Sequence, residues 1–89
     1  MVNNPAFSED TASVYYRIST YLLLTGQYKE AENKTKMSVD MRKSILGAEH
    51  PDTLSSMRNL ASTYSKQGRT KEAEELQVAV LEANKKVLG

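Results

Sequence analysis

Two heptapeptides decide the reading: Gly26-Gln27-Tyr28-Lys29-Glu30-Ala31-Glu32 and Gly68-Arg69-Thr70-Lys71-Glu72-Ala73-Glu74, which stand 42 residues apart and share five of seven residues. The same shift lays Asp10-Thr11 on Asp52-Thr53 and Lys43-Ser44-Ile45-Leu46-Gly47 on Lys85-Lys86-Val87-Leu88-Gly89. Across residues 5–47 against 47–89, 12 of 43 pairs are identical: Ala6, Asp10, Thr11, Ser13, Gly26, Lys29, Glu30, Ala31, Glu32, Lys43, Leu46 and Gly47. Chance matching at about 6% per position, as ordinary composition gives, would supply two or three. The chain reads as two copies of one unit, residues 8–47 and 48–89, behind an N-terminal extension, residues 1–7.

Each copy reads as a pair of helices. In the second, Pro51 stands at a helix start with His50 or Asp52 as its cap, and Leu54, Met57, Leu60, Ala61 and Tyr64 recur at helical spacing until Gly68 stops them. The next helix spans about Thr70 to Leu88, with Glu72, Glu74 and Glu75 early and Lys85 and Lys86 late, an order that complements the helix dipole. Its apolar set, Ala73, Leu76, Ala79, Val80, Leu81, Ala83, Val87 and Leu88, covers roughly 200° of the wheel at 100° per residue, too wide a face for one antiparallel neighbour. The first copy follows the same plan. Ser8 is its expected cap and Val14, Tyr15, Ile18, Tyr21 and Leu22 its expected buried stripe, with Tyr16 and Leu23 opposite; Ala31, Met37, Val39, Met41, Ile45 and Leu46 mark its second helix. The fold class is all-α: four antiparallel helices in two tandem hairpins, an α-solenoid.

Composition narrows function. Twelve Lys and Arg against eleven Asp and Glu leave a net charge of +1, which argues against a basic nucleic-acid surface or a polybasic membrane patch. With no cysteine and one histidine, neither a thiolate nor a multi-histidine metal site can form. No apolar run exceeds four residues, far short of the ~18 of a membrane helix, and the opening MVNNPAFSED resembles no secretory signal, so a cytoplasmic location is expected. There is no glycine-rich phosphate loop, no cysteine nucleophile and no G-x-S-x-G turn, so neither an enzyme nor a cofactor is expected.

Asn59-Leu60-Ala61, then Tyr64, Gly68 and Ala73, resemble the tetratricopeptide repeat, in which small residues let paired helices approach closely. The 42-residue period, HPDTLSSMRNLASTYSKQGRTKEAEEL (His50 to Leu76) and KKVLG (Lys85 to Gly89) are similar to the kinesin-light-chain-type subgroup, whose repeats also form arrays in large fungal NTPase receptor-like proteins. The first copy departs from the pattern, with Ser19, Leu22, Lys34 and Lys36 standing where the second has Ala61, Tyr64, Leu76 and Val78.

The resemblance implies a non-catalytic module that binds a peptide or protein segment on a concave surface lined by each repeat's first helix. On this chain that surface maps to Tyr16, Arg17, Thr20, Leu23 and Leu24 in the first copy and Arg58, Asn59, Ser62 and Lys66 in the second. Asn59 matches the family's groove asparagine and has three uses open to it: a ligand's backbone amide, solvent, or a hydrogen bond between helices. Arg17 in the equivalent place makes the middle of the groove cationic, which fits an acidic or carboxylate-ended partner. Two repeats are fewer than the roughly three expected for independent stability. The second reading is therefore self-association within a longer or repeated array through Leu76, Val80, Leu81, Val87 and Leu88, by stacking or helix exchange. A helical-repeat nucleic-acid adaptor is the third reading, and the acidic second helices (Glu30, Glu32, Glu72, Glu74 and Glu75) stand against it.

Overall fold

The computed structural model describes residues 8–88, with side chains to residue 86. It contains α1 (Glu9–Leu24), α2 (Tyr28–Leu46), α3 (Pro51–Lys66) and α4 (Thr70–Leu88), and no strand among the described residues. The expected extension, residues 1–7, lies outside the described residues. Each helix packs on the next in sequence, and α3 also touches α1, so α3 lies between the first hairpin and α4.

Local chemistry sets the helix ends. Ser8 is extended, and its hydroxyl accepts the Thr11 N–H at 3.1 Å. At α3 the cap is His50, whose Nδ1 accepts the Asp52 N–H at 3.0 Å ahead of Pro51 at the first helical position. Both intra-hairpin turns close in the same way. Gln27 N–H returns to the Leu22 carbonyl at 2.9 Å and Gly26 N–H to Leu23 at 3.3 Å; in the second hairpin Arg69 N–H returns to Tyr64 at 2.8 Å and Gly68 N–H to Ser65 at 3.0 Å. This pairing satisfies the last carbonyls of the helix only if one turn residue takes positive φ, which Gly26 does at 82° and Gly68 at 80°.

The core sits where α3 meets its neighbours. Val39, Leu54, Met57, Leu60 and Val80 form one buried cluster, with Tyr64, Leu76 and Ala83 half-buried against it. Burying each large aliphatic member contributes about 1.5–3 kcal/mol. The α1–α2 contact rests instead on small residues: Ala12, Ser19, Ala31, Thr35 and Ser38 are all at 0% exposure. Small side chains bring the helix axes close, so backbone packs on backbone.

This corrects the stripe expected for α1. Leu22 is buried and Tyr15 half-buried, but Val14, Ile18 and Tyr21 are 42%, 38% and 64% exposed. The helix turns Ala12 to Ser38 of α2 and Ser19 to Asn59 of α3, which rotates the large residues outward. Met37 and Ile45 of α2 are likewise exposed rather than internal. Of the apolar set expected for α4, Ala73 and Val80 are buried, Leu76 and Ala83 half-buried, and Ala79 and Leu81 exposed, while Val87 and Leu88 lie outside the described side chains.

Added side-chain atoms at Gly68 would meet no neighbour, so a substitution there tests backbone conformation alone. Gly68→Ala should lower unfolding free energy by about 1–2 kcal/mol, with Gly68→Asn costing less because asparagine tolerates the left-handed region. Urea denaturation followed by circular dichroism measures both.

Candidate binding surface

The first helices of the two hairpins, α1 and α3, run side by side, and Asn59 fastens them. Its Nδ2 donates to Ser19 Oγ at 2.8 Å and to Thr20 Oγ1 at 3.4 Å. Of the three uses open to it, the structure shows the hydrogen bond between helices. Thr20 and Leu23 stand half-buried on the same helix, as does Tyr16, whose ring stacks on the Arg42 guanidinium at 5.0 Å. Tyr16 is therefore not the free aromatic group that the expected α1 stripe made it. Arg17, Leu24, Arg58, Ser62 and Lys66 are exposed, Leu24 at 82%.

Arg58 and Ser62 belong to a different place from Arg17 and Leu24. With Ala61 of α3 and Gln77, Val80, Leu81 and Asn84 of α4 they line an open groove of ≈ 410 Å³ at the far end of the second hairpin. The nine candidate residues thus divide into a seam, an open face and an end groove. The residues expected to self-associate divide as well. Leu81 is 60% exposed, Leu76 is half-buried against the core, and Val87 and Leu88 lie outside the described side chains. Val80 is a correction: it is only 4% exposed, because α3 already covers it, so at most its edge is offered to the groove.

Sequence reasoning missed the polar centre of the molecule. Arg42 is 6% exposed and reaches from α2 into the space between α1 and α3. Its Nη1 donates to the Asp52 carbonyl and to Ser56 Oγ, both at 3.0 Å, its Nη2 donates to Ser13 Oγ at 3.2 Å, and Glu9 Oε1 lies 3.4 Å from Nε. Ser56 and Ser38 hydroxyls pair at 2.8 Å, and Ser38 donates to the Ala12 carbonyl at 3.1 Å. A signal existed: Ala31, Thr35, Ser38 and Arg42 follow a 4-3-4 helical spacing and are all buried, but three are polar, so an apolar periodicity passes over them.

A second polar cluster ties the α3–α4 turn to α2. Glu32 pairs with Lys36 at 2.8 Å and with Arg69 at 2.9 Å, and accepts from Gln67 at 3.1 Å. Arg69 also forks onto Glu72 at 2.7 and 2.8 Å and stacks on Tyr64 at 4.3 Å. The hydrogen bond from Lys36 holds the Glu32 carboxyl below its ordinary range against a partial desolvation, with Gln67 and the Arg69 charge acting in the same direction as Lys36.

Among the described residues no cluster of His, Cys, Asp or Glu could hold a metal ion, and no helix is long and apolar enough to cross a membrane. The geometry is that of paired helices stacked through a small-residue seam. A family model for the tetratricopeptide repeat matches residues 8–86. The chain belongs to the tetratricopeptide repeat family. No curated protein matches the chain individually. Tetratricopeptide repeats mediate protein–protein interaction and are typically non-catalytic, which gives the exposed faces of α1 and α3 their interest.

Two outcomes follow for the polar clusters. Arg42→Ala should cost about 3 kcal/mol or more, because Ser13, Ser56 and the Asp52 carbonyl lose their donor inside the protein, and Arg42→Lys should not restore it because an ammonium cannot fork. Glu32→Gln should cost about 1 kcal/mol at neutral pH. Because the folded carboxyl is held below its unfolded value, that stabilisation is present above the unfolded range and is lost as pH falls through the folded value. The difference between wild type and Glu32→Gln in thermal melts should therefore shrink towards zero on acidification; a pH-independent difference would contradict the assignment.

Proposed function

We propose that this tetratricopeptide-repeat chain is a non-catalytic module that holds an extended peptide or protein segment along the faces of α1 and α3 turned away from α2 and α4. What carries the reading is the arrangement of Arg17, Leu24 and Lys66, exposed on two adjacent helices whose seam Asn59 closes. Two cations and one large aliphatic group recognise an acidic segment, or one ending in a carboxylate, that carries an apolar side chain. Asn59 spends its amide on Ser19 and Thr20, so in this reading it positions α1 against α3 and leaves direct contact to its exposed neighbours. The net charge of +1 supports a protein partner over nucleic acid, whose binding would rest on many phosphate contacts. The 42-residue period supports placing the chain with kinesin-light-chain-type repeats.

A second reading, compatible with the first, is self-association. It is favoured by the large apolar side chains left open at the two ends of the stack, Val14, Ile18 and Tyr21 on α1 and Leu81 on α4.

The peptide reading is tested with a fluorescent library of acidic peptides bearing a free C-terminal carboxylate, measured by anisotropy. Charge reversal of the pair, Arg17→Glu with Lys66→Glu, should weaken the best binders about tenfold or more while leaving the melting temperature near that of wild type. Unchanged affinity in the double variant would overturn it.

A further inference from the structure

The internal repeat allows each face of one hairpin to be compared with the same face of the other. On α2, Thr35, Ser38, Val39 and Arg42 are buried at 0–6% exposure, and Ser38 and Arg42 are bonded directly to Ser56 of α3. Forty-two residues on, the same positions of α4 are Gln77, Val80, Leu81 and Asn84. These line the end groove, together with Ala61 and Ser62 of α3, which correspond to the Ser19 and Thr20 that receive Asn59. The groove is thus a repetition of the seat that α3 occupies, and it stands open: Gln77 is exposed and Leu81 is 60% exposed where Thr35 and Val39 are covered.

The other end of the molecule shows the reverse. The α3 face that enters its seat carries Ser56, Leu60 and Thr63, at 0%, 7% and 0% exposure. Their counterparts on α1 are Val14, Ile18 and Tyr21, the large apolar residues exposed on that helix. Among the described residues, an open groove on α3–α4 and an exposed apolar face on α1 therefore repeat, in the same register, the two sides of the internal junction.

We infer that α1 of a second copy of this chain docks in the α3–α4 groove, in the place α3 takes on α1–α2, so that copies join head to tail. This rests on the self-association reading and gives it a register. The chemistry of the two ends favours a second copy as the occupant. At the internal junction a hydroxyl pair, Ser38 and Ser56, lies under the Arg42 guanidinium. At the proposed junction the corresponding pair is Val80 and Val14, and the shorter Asn84 stands in Arg42's place. Both members change from hydroxyl to apolar together, and the smaller amide leaves room for the two valines. Val14 and Ile18 are apolar and exposed on α1, which suits the apolar surface that Leu81 and the edge of Val80 offer to the groove. Arg17, in Asn59's position, then faces Ser62, which can accept one of its five N–H donors and leave the others to the open face. Because the two surfaces differ, the contact is heterologous and repeats into an open row rather than closing a two-fold dimer.

The test uses the 89-residue chain. Between about 10 μM and 1 mM, the range of a weak interface, the light-scattering mass of the wild type should rise without a plateau at two copies. Ile18→Glu, which blocks the docking face, and Leu81→Glu, which blocks the seat, should each stay monomeric and helical by circular dichroism. An equimolar mixture of the two should give a dimer that grows no further, since one intact surface of each kind remains. A wild type that is monomeric throughout would overturn both self-association and this register; growth that survives either variant, or a mixture that stays monomeric, would overturn the register alone. Cysteine pairing reads the register without introducing charge, because the chain has no cysteine of its own. On mild oxidation Ile18→Cys should cross-link with Leu81→Cys at least about tenfold faster than with Val78→Cys, because all three positions are exposed while only the counterparts of the first two, Leu60 and Val39, share one buried cluster at the internal junction. Equal rates for the two pairs would overturn the proposal.

Discussion

A guanidinium buried between helices needs acceptors, and the partners that the two terminal nitrogens of Arg42 find fix how the two hairpins meet, while its buried Nε lies 3.4 Å from Glu9 without a hydrogen bond. Taking a charge out of water costs several kcal/mol unless its donors find acceptors. Here three acceptors come from two neighbouring helices: the Asp52 carbonyl and Ser56 on α3, and Ser13 on α1. Sliding α3 by one turn would remove the carbonyl and the hydroxyl together. Apolar contacts between Val39 and the leucines of α3 supply attraction without such selectivity. The polar centre gives the stack its register and the apolar cluster gives it adhesion.

The same division explains why the two hairpins differ despite their common plan. The first is built from small and polar residues, Ala12, Ser19, Ala31, Thr35 and Ser38, and depends on close helix approach and hydrogen bonds. The second fills its interior with Leu54, Met57, Leu60 and Val80. The first hairpin also buries Leu22, Val39 and Met41, and Val39 does so in one cluster with the leucines of α3, which covers it. Cohesion along the chain is therefore carried between neighbours, as expected of a solenoid, and the ends remain the places where adhesion is unspent.

Several features were open to direct reading of the sequence. The 42-residue self-match, the cap at Ser8, the stops at Gly26 and Gly68 and the four helices all depend on a few neighbouring residues, and the structure has them where those residues stand. Of the two caps open for α3, His50 and Asp52, it uses His50. The apolar positions of α3 were also legible, because that helix is covered on its core side by large residues at regular spacing. For α1 the same rule misled. Large side chains such as Ile18 and Tyr21 outweighed Ala12 and Ser19 in the pattern, while close packing favours the small ones. Among the candidate contact residues, Asn59 was recognisable as special, but whether its amide faced a ligand or a neighbouring helix depended on Ser19 and Thr20, 40 and 39 positions away.

By itself the sequence determined the repeat, its helices and its family, since hydrogen-bonded turns, caps and periodicity are local consequences of residue type. Only the tertiary structure decided which face of each helix is spent. It buried Arg42, turned Val14, Ile18 and Tyr21 outward, and divided the expected contact residues between a seam, an open face and an end groove. Burial is a property of what lies opposite, and residues far apart in the chain supply it.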